Sequence, residues 1–126
     1  MMFSERLKIA YYSILSPESR ARIAWKFIKN QIDESVENFI RYNGDDPHNL
    51  RVYLDAENST VNYFYENECR GHFWFANMTE IPDSKNHAAL DAFQAELMKL
   101  FAESYKMPLN NGVTYIVRWF TTTNPP

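Results

Sequence analysis

Cys69 and His72 stand at a Cys-x2-His spacing, and the chain's other imidazoles are His48 and His87. Thiolate and imidazole can hold zinc together. A structural zinc site, however, is built from paired motifs at tight spacing, and here one half-motif is accompanied by isolated histidines. The same groups could serve nucleophilic catalysis, with Cys69 attacking, a histidine as base and a carboxylate to orient it. Cys69 lies between Glu68 and Arg70, which predicts an exposed loop thiol with nothing to activate it. Neither constellation is complete. The expectation is no metal, no cofactor and no catalytic residue, with a small enzyme around Cys69 and His72 as an alternative.

Asp55, Glu57, Glu66 and Glu68 gather where hairpin ends are expected. Paired carboxylates can do acid–base work or bind a cation. On a hairpin tip they more simply keep a sheet soluble and discourage edge pairing. Arg20, Arg22, Lys26 and Lys29 are spaced to line part of one helix, and with Arg6 and Lys8 they could meet phosphate. The aromatic strands could then stack bases, but the Gly-aromatic strand motifs of sheet-based RNA binders are missing. There is also no Gly-rich phosphate loop, no paired His on a helix and no serine nucleophile elbow.

The elements that would position these groups follow from periodicity. Leu50 to Glu57 alternates apolar and polar, the mark of a strand with one buried face. Asn58-Ser59 is a turn signal, Val61 to Tyr65 a second strand, Glu66 to Gly71 a polar loop, and His72 to Ala76 a third strand. Before this meander, Leu7, Ala10, Tyr11, Ile14 and Leu15 make one apolar helical stripe capped by Ser4. Ser16-Pro17-Glu18 ends that helix and caps the next, which runs to about Tyr42 with Trp25, Ile28, Ile32, Val36, Phe39 and Ile40 on one side. After the meander, Asp83 or Ser84 caps a third helix carrying Leu90, Phe93, Leu97, Leu100 and Phe101. Val113 to Thr121 is a last strand, β-branched and aromatic throughout, which suits a central place in the sheet. The expected fold is α+β in the order α-α-β-β-β-α-β, a single domain over residues 1–126 with helices packed on one sheet.

Composition bounds the function classes. A chain of 126 residues with 45% hydrophobic residues can bury a core without disulfide or metal. Nine Phe, eight Tyr and three Trp mean that the core and any binding face are built from rings. One cysteine excludes a disulfide-stapled scaffold. No stretch approaches the roughly 20 apolar residues of a membrane span, and Met1 to Arg6 does not read as a signal peptide. A cytoplasmic protein without membrane contact is therefore expected. Residues 1–43 hold seven Lys/Arg against five Asp/Glu, and residues 44–126 hold six against eleven. Any basic surface thus belongs to the N-terminal helices, and the net charge of -3 weighs against a dedicated nucleic-acid binder.

If the helices share one side of the sheet, the other side presents rings with charges between them. Such a face suits another protein, or a second copy in a homodimer. The expected function is a small non-catalytic protein-binding module, of the kind that inhibitors, immunity proteins and accessory proteins represent. Tyr53, Tyr63, Tyr65, Trp74 and Trp119 would be the anchors, with Asp55 and Glu57 selecting the partner by charge. The alternative is a nucleic-acid-associated protein using Arg20, Arg22, Lys26 and Lys29.

Overall fold

Ser16 fixes where the first long helix begins. Its hydroxyl accepts the Ser19 N–H at 3.1 Å, Pro17 fills the first helical position, and Glu18 meets the positive end of the helix dipole. The computed structural model describes residues 15–75, 87–106 and 111–118. Within them run α1 (Pro17–Arg41), a 3-10 turn (Pro47–Asn49), β1 (Leu50–Asp55), β2 (Thr60–Tyr65), β3 (Glu68–Trp74), α2 (His87–Ser104) and β4 (Thr114–Arg118). The fold is α+β. Two α-helices stand in the described residues. The helix expected over residues 7–15 falls almost wholly outside them, as do the caps expected at Asp83 or Ser84, and Trp119.

The sheet has the order β3-β2-β1-β4. β1, β2 and β3 form the antiparallel meander, and β4 joins β1 in parallel after the α2 crossover. The central place expected for β4 is therefore wrong among the described residues, where it is an outer strand. Its β-branched and aromatic side chains record a fit to a pleated, half-buried surface, which says nothing about lateral position.

The polar loop expected from Glu66 to Gly71 is also corrected. Tyr65 pairs with Glu68, so the connection is a two-residue turn of Glu66 and Asn67. Both carry positive φ, 50° and 72°, the twist that matches antiparallel strands. Arg70 is then the extra residue of a β-bulge: Cys69 faces Phe64 and Gly71 faces Tyr63. At the other turn the Asp55 carboxylate accepts the Asn58 backbone N–H at 3.3 Å and its side-chain amide at 2.8 Å.

Among the described residues the apolar core forms on one side of the sheet. Leu50, Val52 and Leu54 of β1 stand opposite Tyr65, Tyr63 and Val61 of β2, and all but the half-buried Tyr65 are buried. They join one cluster with Ala21, Ala24, Trp25, Ile28, Ile32 and Val36 of α1 and Phe93, Leu97, Met98 and Phe101 of α2. Both helices thus cover the same face. Trp25 meets Phe101 and Tyr105 edge-on at 6.0 and 6.1 Å, and the Arg22–Glu96 ion pair closes the helix pair at 3.3 Å.

Two measurements test this account. Leu97→Ala, at a fully buried position, is expected to cost about 2–5 kcal/mol, read as a lower urea midpoint at unchanged slope. Glu66→Asn, which suits a left-handed backbone better, should raise stability by about 0.5 kcal/mol in the same assay.

Candidate functional site

The face of the sheet turned away from α1 and α2 carries Arg51 and Tyr53 from β1, Asn62 and Phe64 from β2, Cys69, His72 and Trp74 from β3, and Ile116 from β4. Tyr53 and Phe64 meet edge-to-face at 5.1 Å, and His72 packs against Trp74 at 6.0 Å. Trp74 is 65% exposed. The other large apolar side chains as exposed as this among the described residues, Phe27 and Tyr42, belong to α1 and the residue after it. Arg51 donates to the Asn67 side chain at 3.0 Å, which holds the guanidinium toward the β2–β3 turn.

The expected anchors divide between the two faces. Tyr53 and Trp74 lie on the open face. Tyr63 does not: it is 3% exposed on the helix side, with its ring 5.4 Å from Phe39 and 6.4 Å from Phe73. Tyr65 is also on the helix side, under the Arg70 guanidinium at 5.0 Å, and its hydroxyl accepts the Asp46 N–H at 3.0 Å. Tyr63 is therefore a core residue and Tyr65 a structural one. Trp119 lies outside the described residues. Asp55 is buried and closes its turn on Asn58, whereas Glu57 is exposed. The four acidic residues do not form one cluster. Asp55 and Glu57 flank one end of β2, and Glu66 and Glu68 flank the other, about 20 Å away for a six-residue strand.

The basic helix is likewise broken up. Arg20 is buried at 4% exposure. Arg22 is bound to Glu96, and Lys29 to Asp33 at 2.6 Å. Lys26 is exposed. A row of four free cations for phosphate is not what the helix presents. Cys69 and His72 do share a face, because the Arg70 bulge shifts the alternation by one, but the Cys69 thiol is directed to the Gly71 carbonyl at 3.8 Å. His48 is in the 3-10 turn and His87 starts α2. Among the described residues no group of three or more His, Cys, Asp and Glu could hold a metal ion. No described helix is long and apolar enough to cross a membrane.

Two grooves flank the C-terminal half of α1. The one toward β4, about 400 Å³, is bordered by Asp33, Glu37, Arg41, Asn111 and Tyr115, with Val36 and Ile40 as its apolar wall. A polar chain runs beside it. Lys29 holds Asp33, Asp33 accepts the Tyr105 hydroxyl at 2.6 Å, Tyr105 stacks on Tyr115 at 4.0 Å and 3°, and the Tyr115 hydroxyl accepts from Asn111 at 2.9 Å. The one legible hint of this chain was the Lys29–Asp33 spacing of four on a helix. The other groove, about 260 Å³, lies toward β3 and is lined by Ser35, Asn38, Phe39, Asn43, Tyr63, Gly71 and His72. The Tyr63 hydroxyl there is buried without a hydrogen bond, although Ser35 is near enough to influence its titration. An unsatisfied buried hydroxyl costs about 1–3 kcal/mol.

Burial governs the tyrosine titrations. It pushes Tyr63 up to about 12. It also raises Tyr105, helped by the hydrogen bond to Asp33, and raises Tyr115 against the opposing effect of Asn111. Asp46 is shifted the other way, lowered by the His48 backbone N–H and then by its ring.

Among the described residues the fold is an α+β layer with both helices on one face of the sheet and aromatic side chains on the other. No family model, no curated protein and no solved structure matches the chain.

Because the folded state holds these phenols protonated above their ordinary value near 10, it binds more protons than the unfolded chain from there upward. The stability these three phenols contribute is full below pH 10 and is lost as pH rises toward 12. Absorbance at 295 nm should show the three phenolates of Tyr63, Tyr105 and Tyr115 appearing with unfolding rather than before it. Tyr105→Phe should cost about 1–2 kcal/mol by removing the bond to Asp33 and flatten that alkaline loss.

Proposed function

We propose that this protein is a non-catalytic protein-binding module that docks on the open face of its sheet. The supporting observation is the placement of Tyr53, Phe64, His72 and Trp74 on the side opposite both described helices, with the Trp74 indole 65% exposed. Aromatic side chains of this kind supply large contact area at low entropic cost, and they concentrate binding energy when a partner excludes water from them. Arg51 and His72 stand among the rings and would orient the partner. Inhibitors, immunity proteins and accessory proteins act in this way, by covering a partner rather than transforming a substrate.

The test compares the wild type with an open-face variant, Tyr53→Ser with Trp74→Ser, and a helix variant, Arg22→Glu with Lys26→Glu. Each is immobilised and exposed to lysate of its own source, with quantitative mass spectrometry of what is retained. The expected result is a protein enriched by the wild type and the helix variant and at least tenfold depleted on the open-face variant. Loss on the helix variant alone would replace this proposal with docking through α1. Light scattering over a concentration series identifies a second copy as the partner if a dimer forms and the open-face variant dissolves it.

A further inference from the structure

Gly71 lines the groove between α1 and β3 and sends no side chain into it. Gly71 faces Tyr63 across the strands, on the helix-covered side, where a strand residue would ordinarily send an apolar side chain toward the core. A Cβ built there meets nothing within 4 Å. Glycine weakens a strand interior and often marks a bulge, such as the one at Arg70, or a place where a ligand or another backbone approaches.

The walls of that space hold no lysine, arginine or carboxylate, and the His72 imidazole borders them. Ser35, Asn38 and Asn43 offer a hydroxyl and two amides along one side of α1 and its end, and Phe39 and Tyr63 form the apolar floor. The nearby Asp45 and Arg70 are bound to each other at 3.2 Å. A charged group entering the groove would lose water without gaining a counter-charge, whereas a neutral donor or acceptor would find partners. One is Tyr63, which lines the groove and is 97% buried, its hydroxyl beside Ser35 but without a well-formed hydrogen bond. β3 is moreover an outer strand of the described sheet. Pairing to β2 uses the backbone groups of alternate residues and leaves the others directed away from it. Only an extended chain can satisfy those groups in series while one of its side chains fills the gap.

We infer that this groove receives an extended peptide segment of a partner protein, added as a strand beside β3, with an uncharged hydrogen-bonding side chain seated over Gly71 against Tyr63, Ser35 and Asn38. Main-chain pairing supplies affinity and the groove supplies selectivity. His72 borders both surfaces, but the inference does not rest on docking at the open face.

The test is an NMR titration of the full 15N-labelled chain with blocked heptapeptides of alternating Thr and Ser around a central Gln, Tyr, Ala, Glu or Lys. The Gln or Tyr peptide should shift amides of β3 and of residues 35–43, and the Glu and Lys peptides should bind at least tenfold more weakly. Gly71→Leu should fill the groove, abolish binding and raise the melting temperature. Tyr63→Phe should weaken the best peptide several-fold while the fold persists. Tyr53→Ser, which addresses the open face on β1 and away from β3, should leave peptide binding unchanged. Equal shifts from free acetamide and phenol would overturn the proposal in favour of a small-molecule pocket. Peptide binding that survives Gly71→Leu would overturn it, as would no shift from any peptide. The last result, with a stabilised Gly71→Leu, would make the groove a packing gap.

Discussion

Everything else in this molecule depends on the way α1 crosses one face of the sheet. The β1 side chains Leu50, Val52 and Leu54 can leave water only if something apolar covers them, and α1 supplies Trp25, Ile28, Ile32 and Val36 for that purpose. α2 extends the cover with Phe93, Leu97 and Phe101. With both helices committed to this side, the reverse side keeps Tyr53, Phe64 and Trp74. The asymmetry that closes the core is the same asymmetry that leaves these rings on the side away from both described helices.

The rings on the covered side fall into two groups, one under each flank of α1. Trp25, Phe101, Tyr105 and Tyr115 pack toward β4. Phe39, Tyr63, Phe73 and Phe75 pack toward β3. The first group has its hydroxyls satisfied through Asp33 and Asn111. The second contains Tyr63, whose hydroxyl is not. Buried polar groups in folded proteins are nearly always hydrogen-bonded. The contrast between two otherwise similar aromatic clusters is what singles out the β3 flank.

Much of this architecture is legible residue by residue. Ser16-Pro17-Glu18 marks the start of α1, the stripe from Trp25 to Val36 marks its buried side, and alternation in Leu50 to Asp55 gives the faces of β1. Alternation sorts residues into two faces but does not say which one the helices cover. That is why Tyr53 and Tyr63 read alike as anchors although one is on the open side and the other in the core. Arg20 reads as a surface cation because burial of one arginine at the start of a helix depends on what packs over it. The Glu66-Asn67 turn is hidden because glutamate seldom adopts positive φ, and the β3 bulge leaves no mark in spacing at all. The place of β4 beside β1 is a pairing between distant segments, which local pattern does not encode.

That distance has a kinetic side. The bonds that join α1 to its cover link residues 74 apart, in Arg22–Glu96, and 72 apart, in Tyr105–Asp33. Hairpin contacts within the meander close over a few residues and form early, whereas these close large loops and form late. During synthesis α1 emerges long before α2 and β4. The meander follows directly and can meet the helix's apolar stripe, but the part that packs on α2 stays uncovered until the C-terminal segments arrive.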